Sequence, residues 1–290
     1  MQPRNASGKL LRMSENRIAL VTGSTDGLGR AVARALAARG FRVWVHGRDA
    51  ARAEALVREI AAQGGEARFQ RADFASLAEV RSLADAVRHE APRLDLLINN
   101  AGIGTATAGR PASRELSADG HELRFAVNYL AGYLLTERLL PLLRASAPSR
   151  IVNVASVGQY PLDFDNLMLA RAYSGMRAYA QSKLAQVMFT LDLAEHLRGS
   201  GVTVNCLHPA TYMDTTMVRA AGVNPASTVE EGAEAVLRLA CAPELADTTG
   251  GYFDGLRPAR AHAMAYDPEA RRRLAEVSGT LTRDAMRRVG

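Results

Sequence analysis

Hydrophobic and polar positions follow two alternating rhythms along this chain. Short apolar runs ending in glycine or polar residues predict buried strands at 18–22, 41–46, 67–71, 94–99, 150–155, 202–207 and 251–254. Segments of helical composition lie between them, at 30–39, 50–63, 77–90, 122–143, 178–197 and 229–240. Strand and helix in turn imply βαβ units, hence an α/β fold: a doubly wound parallel sheet with helices on both faces. No repeat, low-complexity tract or Pro/Gly-rich linker divides the chain. Residues 17–290, including a C-terminal helix, are therefore expected as one domain, with 1–16 a flexible extension and Met13 an alternative start. Three irregular stretches, 103–118, 157–176 and 210–228, all follow strands. They fall at the carboxyl edge of the sheet, where open α/β folds bind ligands.

Composition narrows the class. Of 290 residues, 48% are hydrophobic and 23% charged, which excludes a disordered chain or a small disulfide scaffold. The excess of 36 Lys+Arg over 30 Asp+Glu gives +6 and raises nucleic acid as a partner. Against it, the arginines are dispersed among acidic residues, aromatics make up only 6%, and Arg271, Arg272 and Arg273 read as a solvated helix face. A modest positive field suits an anionic cofactor instead. Cys206 and Cys241 form no motif, the N-terminus has no apolar signal core, and the most apolar stretch, 125–136, is too short for a bilayer. These features predict a cytoplasmic protein. The six histidines never recur at ligand spacing, so no metal site is expected.

Between the first strand and the first helix stand Thr22, Gly23, Ser24, Thr25, Asp26, Gly27, Leu28 and Gly29. Glycines there let backbone approach a pyrophosphate at a helix N-terminus. The pattern Thr-Gly-x-x-x-Gly-x-Gly resembles that of the short-chain dehydrogenase/reductase family, and the resemblance extends over residues 17–255. It implies a Rossmann-type fold and a nicotinamide cofactor held by that loop. Asn100, Ala101 and Gly102 match the family segment bracing the sheet beside the adenosine. Asp73, followed by Phe74, matches the carboxylate that accepts a hydrogen bond from adenine. After the second strand the chain reads His46-Gly47-Arg48-Asp49. An acidic residue there would hold the NAD(H) ribose and repel a 2′-phosphate, whereas Arg48 favours NADP(H) over NAD(H). The plainer reading of Arg48 is an exposed loop arginine. Asp49 and Asp26 weigh against NADP(H), since Asp26 fills a slot where NADP-preferring relatives carry a basic residue.

Tyr179 and Lys183 are four residues apart and share one helix face. A neighbouring ammonium and an oxidised nicotinamide are expected to lower the phenol's proton affinity, making Tyr179 a general acid or base. Tyr179 and Lys183 are also expected at the cofactor, Lys183 holding the nicotinamide ribose hydroxyls. Ser156, after the fifth strand, can polarise a substrate oxygen. A serine hydrolase does not fit, because Val154 stands where a nucleophile elbow needs glycine. Asn128, an amide in an apolar helix, reads as a helix-bending core residue and, by the resemblance, as a fourth catalytic residue. The resemblance also implies that Pro209, Thr211 and Met213 contact the cofactor. Here Ala210 replaces the family's glycine, and Thr215 lies one position late.

From Ser156 to Tyr179 is 179 − 156 = 23 residues, longer than in many family members. The insert 159–168 and the stretch 189–194 resemble the retinol-dehydrogenase-like branch, which acts on lipophilic aldehydes, ketones and alcohols. The expectation is an NADP(H)-dependent oxidoreductase, a carbonyl reductase or alcohol dehydrogenase, acting on a small molecule. Neither nucleic acid nor a membrane span is expected, and a homodimer or homotetramer is. Tyr160, Leu162, Phe164, Met168, Tyr212, Met213 and Met217 are expected to line an apolar pocket, unless half of them pack the insert onto the body. The other class is a cofactor-binding protein without turnover, against which Asn128, Ser156, Tyr179 and Lys183 together argue.

Overall fold

Strand β1 (Ile18–Val21) is apolar at every position and buried on both faces, which places it inside the sheet. The structure, a computed structural model, describes residues 17–107, 110–111 and 113–287, so the expected extension 1–16 lies outside the described residues. After β1 come α1 (Gly27–Ala38), β2 (Arg42–Gly47), α2 (Ala50–Ala62), β3 (Glu66–Arg71), α3 (Leu77–Glu90) and β4 (Leu96–Asn99). The second half holds a small β5–β6 ladder (Ala106–Thr107, Arg110–Pro111), α4 (Leu123–Phe125), α5 (Ala131–Ala145), β7 (Ser149–Val154) and α6 (Gly175–His196). It closes with β8 (Val202–His208), α7 (Thr216–Ala220), α8 (Val229–Cys241), β9 (Tyr252–Asp254), β10 (Arg257–Ala259) and α9 (Pro268–Arg287).

The main sheet runs β10-β9-β8-β7-β4-β1-β2-β3, parallel throughout except for β10. β1 pairs with β2 on one side and β4 on the other, so the winding reverses there. Such a switch point opens a crevice at the carboxyl edge. Val32, Leu36, Leu56, Ile60 and Val236 of α1, α2 and α8 fill one face. Leu83, Leu135, Leu184 and Leu274 of α3, α5, α6 and α9 fill the other. No helix among the described residues is long and apolar enough to cross a membrane.

Two departures matter for the site. The helix expected over 122–143 runs without a gap from Leu123 to Ala145 but contains a π-helical turn, Ala126–Leu130, between α4 and α5. The loop expected over 210–228 contains α7, capped by the Thr215 hydroxyl on Val218 N–H.

Candidate active site

The glycine loop is tied down from below. Thr22 Oγ1 accepts the N–H groups of Asn100 (2.9 Å) and Ala101 (3.0 Å). Asn100 Nδ2 returns hydrogen bonds to the carbonyls of Thr22 (2.9 Å) and Gly23 (3.1 Å). Gly23 holds φ +64°, and a methyl there would come within 2.8 Å of Ala101 Cα. At Gly29 a methyl would lie 2.2 Å from the Gly23 oxygen, so neither position admits a side chain. Ser24 is buried and takes His46 N–H at 2.9 Å, Thr25 lies against Gly47, and Leu28 belongs to the core. What the loop offers outward is backbone at the start of α1, which suits a pyrophosphate. Asp26 caps that helix on Gly27 N–H (2.8 Å) and accepts the Thr216 hydroxyl of α7 (2.7 Å).

His46 links the pieces of the adenosine end. Its Nδ1 accepts Gly23 N–H at 3.1 Å, which leaves Nε2 to donate to the Ala72 carbonyl at 3.1 Å. Burial pushes its pKa down to about 4, so the ring is neutral. Phe74 stacks on it at 4.3 Å and sits in the core, so its ring is not presented to a ligand. Asp73 accepts Ala75 N–H (2.9 Å) and lies 3.7 Å from the exposed Arg48 guanidinium. Asp49 turns into α2 as its cap on Arg52 N–H (3.1 Å), and the Arg52 side chain reaches within 3.6 Å of Asp26.

Ser156, at the carboxyl end of β7, accepts Gly158 N–H on its Oγ at 3.1 Å and lies on the side of the Tyr179 phenol. Lys183 is buried behind them, with Nζ 5.7 Å from the Tyr179 ring centre. Burial raises the phenol's pKa, opposed only by Ser156. The lysine points elsewhere: Nζ donates to the Val154 carbonyl (2.9 Å) and to Gln186 Oε1 (3.0 Å), and burial drops its pKa to about 7. Asn128 sits in the π-helical turn. Its Oδ1 accepts Ile103 N–H (2.7 Å), and its Nδ2 donates to the Ile103 carbonyl (3.1 Å) and to Ser182 Oγ (3.0 Å). Ser182 in turn donates to the Tyr179 carbonyl at 2.7 Å. A methyl on Gly102 would lie 3.2 Å from the Asn128 oxygen and 3.7 Å from Lys183 Nζ, so the brace loop adjoins this cluster.

Pro209 lies near Gly232, and Thr211 Oγ1 meets His208 Nε2 at 3.1 Å. The Met213 sulfur fills the space over Gly232, so this side chain packs on α8. Thr215, one position late, is the residue whose methyl leans on Gly27. Of the seven pocket residues, Leu162, Phe164, Met168 and Met213 pack into the cores, while Tyr160, Tyr212 and Met217 stay exposed. One network escaped sequence reasoning. Buried Arg124 donates to the Gly104 carbonyl (2.8 Å) and to Tyr173 Oη (3.0 Å), which itself donates to buried Glu122 (3.1 Å). A charged residue inside an apolar helix was the available signal.

Comparison with known proteins agrees with this geometry. The sequence pattern of the short chain dehydrogenase family matches residues 17–225. Retinol dehydrogenase 13 of Homo sapiens is 38% identical over 282 residues, covering 90% of this chain and 83% of the relative. Retinol dehydrogenase 14 of Mus musculus is 36% identical over 292 residues, covering 92% and 86%. Among solved structures, the Pseudomonas aeruginosa RhlG/NADP complex superposes with TM-score 0.67 at 30% identity, covering 82% of this chain and 94% of that one. A Burkholderia cenocepacia short chain dehydrogenase in complex with NADP gives 0.66 at 30%, covering 82% and 95%.

Proposed function

The chain belongs to the short-chain dehydrogenase family, and from that premise we propose that it interconverts a lipophilic alcohol and its carbonyl compound with NADP(H). The observation that carries this reading is the grouping of buried Ser156 and buried Lys183, its Nζ 5.7 Å from the Tyr179 ring centre, on the sheet edge that also bears the glycine loop. The residues fit the cofactor. Backbone from Gly23 to Gly29 would hold the pyrophosphate, Asp73 and the brace loop at Asn100–Gly102 the adenosine, and Arg48 the 2′-phosphate. When bound, the nicotinamide supplies or accepts the hydride at the substrate carbon.

The protein's own groups manage the oxygen. Ser156 orients the carbonyl, and Tyr179, kept protonated by its burial, donates the proton as the oxygen gains charge. In the reverse direction the same phenol takes the proton back. Lys183, whose Nζ is held by Val154 and Gln186, would hold the nicotinamide ribose hydroxyls. Asn128 fastens the loop at Ile103 to Ser182 of α6.

NADP(H) is favoured by Arg48, by Arg52 nearby, and by the NADP bound in two similar structures. A lipophilic substrate is favoured by exposed Tyr160, Tyr212 and Met217 and by the names of the retinol dehydrogenases. A carbonyl panel with NADPH absorbance as readout tests it: retinal or decanal should turn over faster than a short hydroxy-ketone. Preference for the hydroxy-ketone would refute the lipophilic pocket. NADPH binding without turnover of any carbonyl would favour the cofactor-binding alternative.

A further inference from the structure

Lys183 has three N–H bonds and a site that uses them unequally. One goes to the Val154 carbonyl at 2.9 Å, at the end of β7, and one to Gln186 Oε1 at 3.0 Å, one turn along α6. Both partners are buried, as is the ammonium itself. Gln186 is in turn anchored: its backbone carbonyl accepts the Thr190 hydroxyl at 2.8 Å, and that oxygen accepts Asn153 Nδ2 at 2.8 Å from β7. An amide in the apolar middle of a helix carries a desolvation cost that only a polar partner offsets.

We propose that Gln186 is a positioning residue for the reaction: its side-chain oxygen holds the Lys183 ammonium against β7 and leaves the third N–H for the catalytic cleft. This rests on the function proposed above. Around the ammonium the titratable groups are Tyr179 on α6 and His208 at the end of β8, the latter facing Asp254. Neither is an anion that would keep Lys183 charged at neutral pH, because burial raises the phenol's pKa and lowers that of the imidazole. The dipole of the Gln186 carbonyl, with that of Val154, takes that part.

Two variants predict opposite signs. Gln186→Met keeps the length and volume and removes the acceptor. Gln186→Glu puts a carboxylate at the same place. Lysine-selective 13C labelling and NMR titration read the Lys183 midpoint directly, without turnover, against the parent titration. Gln186→Glu should move that midpoint up by about one pH unit or more, and Gln186→Met should move it down. The alkaline limb of kcat/KM for carbonyl reduction should follow in each case, with the KM for NADPH rising in Gln186→Met. General loosening of the core would admit water and raise the midpoint in both variants. A rise in Gln186→Met, or no movement in either variant, overturns the proposal. If Gln186→Met does not fold, Gln186→Leu is read in its place, where a downward shift is expected and a rise or no movement overturns the proposal. A Tyr179→Phe enzyme that keeps full turnover would sink the reaction itself while leaving the lysine titration interpretable.

Discussion

Replacing Arg48 with alanine isolates the charge that would choose between the two dinucleotides. Its guanidinium is 67% exposed and shares its surroundings with Asp73 at 3.7 Å, so the interaction takes place in nearly bulk dielectric. Two unit charges 4 Å apart in water attract by about 1 kcal/mol, and a phosphate carrying close to two charges raises that to roughly 2 kcal/mol. Asp73 takes back part of it. The net is about 1.4 kcal/mol, a tenfold preference for NADPH over NADH. Fluorescence titration of both cofactors against parent and Arg48→Ala measures it, and the preference should collapse only on the NADPH side. It should also shrink as salt rises, because an exposed pair is screened. An unchanged ratio in Arg48→Ala, or equal weakening of both cofactors, refutes the assignment. A residual preference that disappears only with Arg52→Ala would divide the phosphate between the two arginines.

Tyr179→Phe removes one oxygen and leaves the ring packed, so NADPH affinity and melting temperature should hold while turnover falls by about 10²–10⁴; parent-like turnover would place the proton donor elsewhere. Arg124→Met strands the Glu122 carboxylate in the core and should cost about 3–5 kcal/mol in urea unfolding, with Arg124→Met/Glu122→Gln recovering much of it.

The alternating fold was legible because buried parallel strands and amphipathic helices carry different periods, and β1 and α3 read almost as they fold. Short elements were not. α7 is five residues long with none buried, so it leaves no apolar period in the sequence. The π-helical turn was invisible for a related reason: one extra residue in a nearly all-apolar stretch hardly disturbs the pattern. At the site, spacing along one helix was readable, since Tyr179 and Lys183 share a face whatever surrounds them. What the lysine touches was not, because Val154 is 29 residues distant and its role is played by a backbone oxygen. Likewise nothing local marked His46 as the partner of Gly23, 23 residues away.

The turn at Ala126–Leu130 also acts as a phase correction. An α-helix rotates about 100° per residue, so one additional residue re-aims everything before it relative to everything after it. The stretch ahead of the turn buries Arg124 and Phe125, and the stretch behind it buries Leu134, Leu135 and Leu139. Both sets fit only because the offset between them is made at Asn128. A single further insertion between Leu123 and Leu139 would put one half of the helix out of phase with its own core.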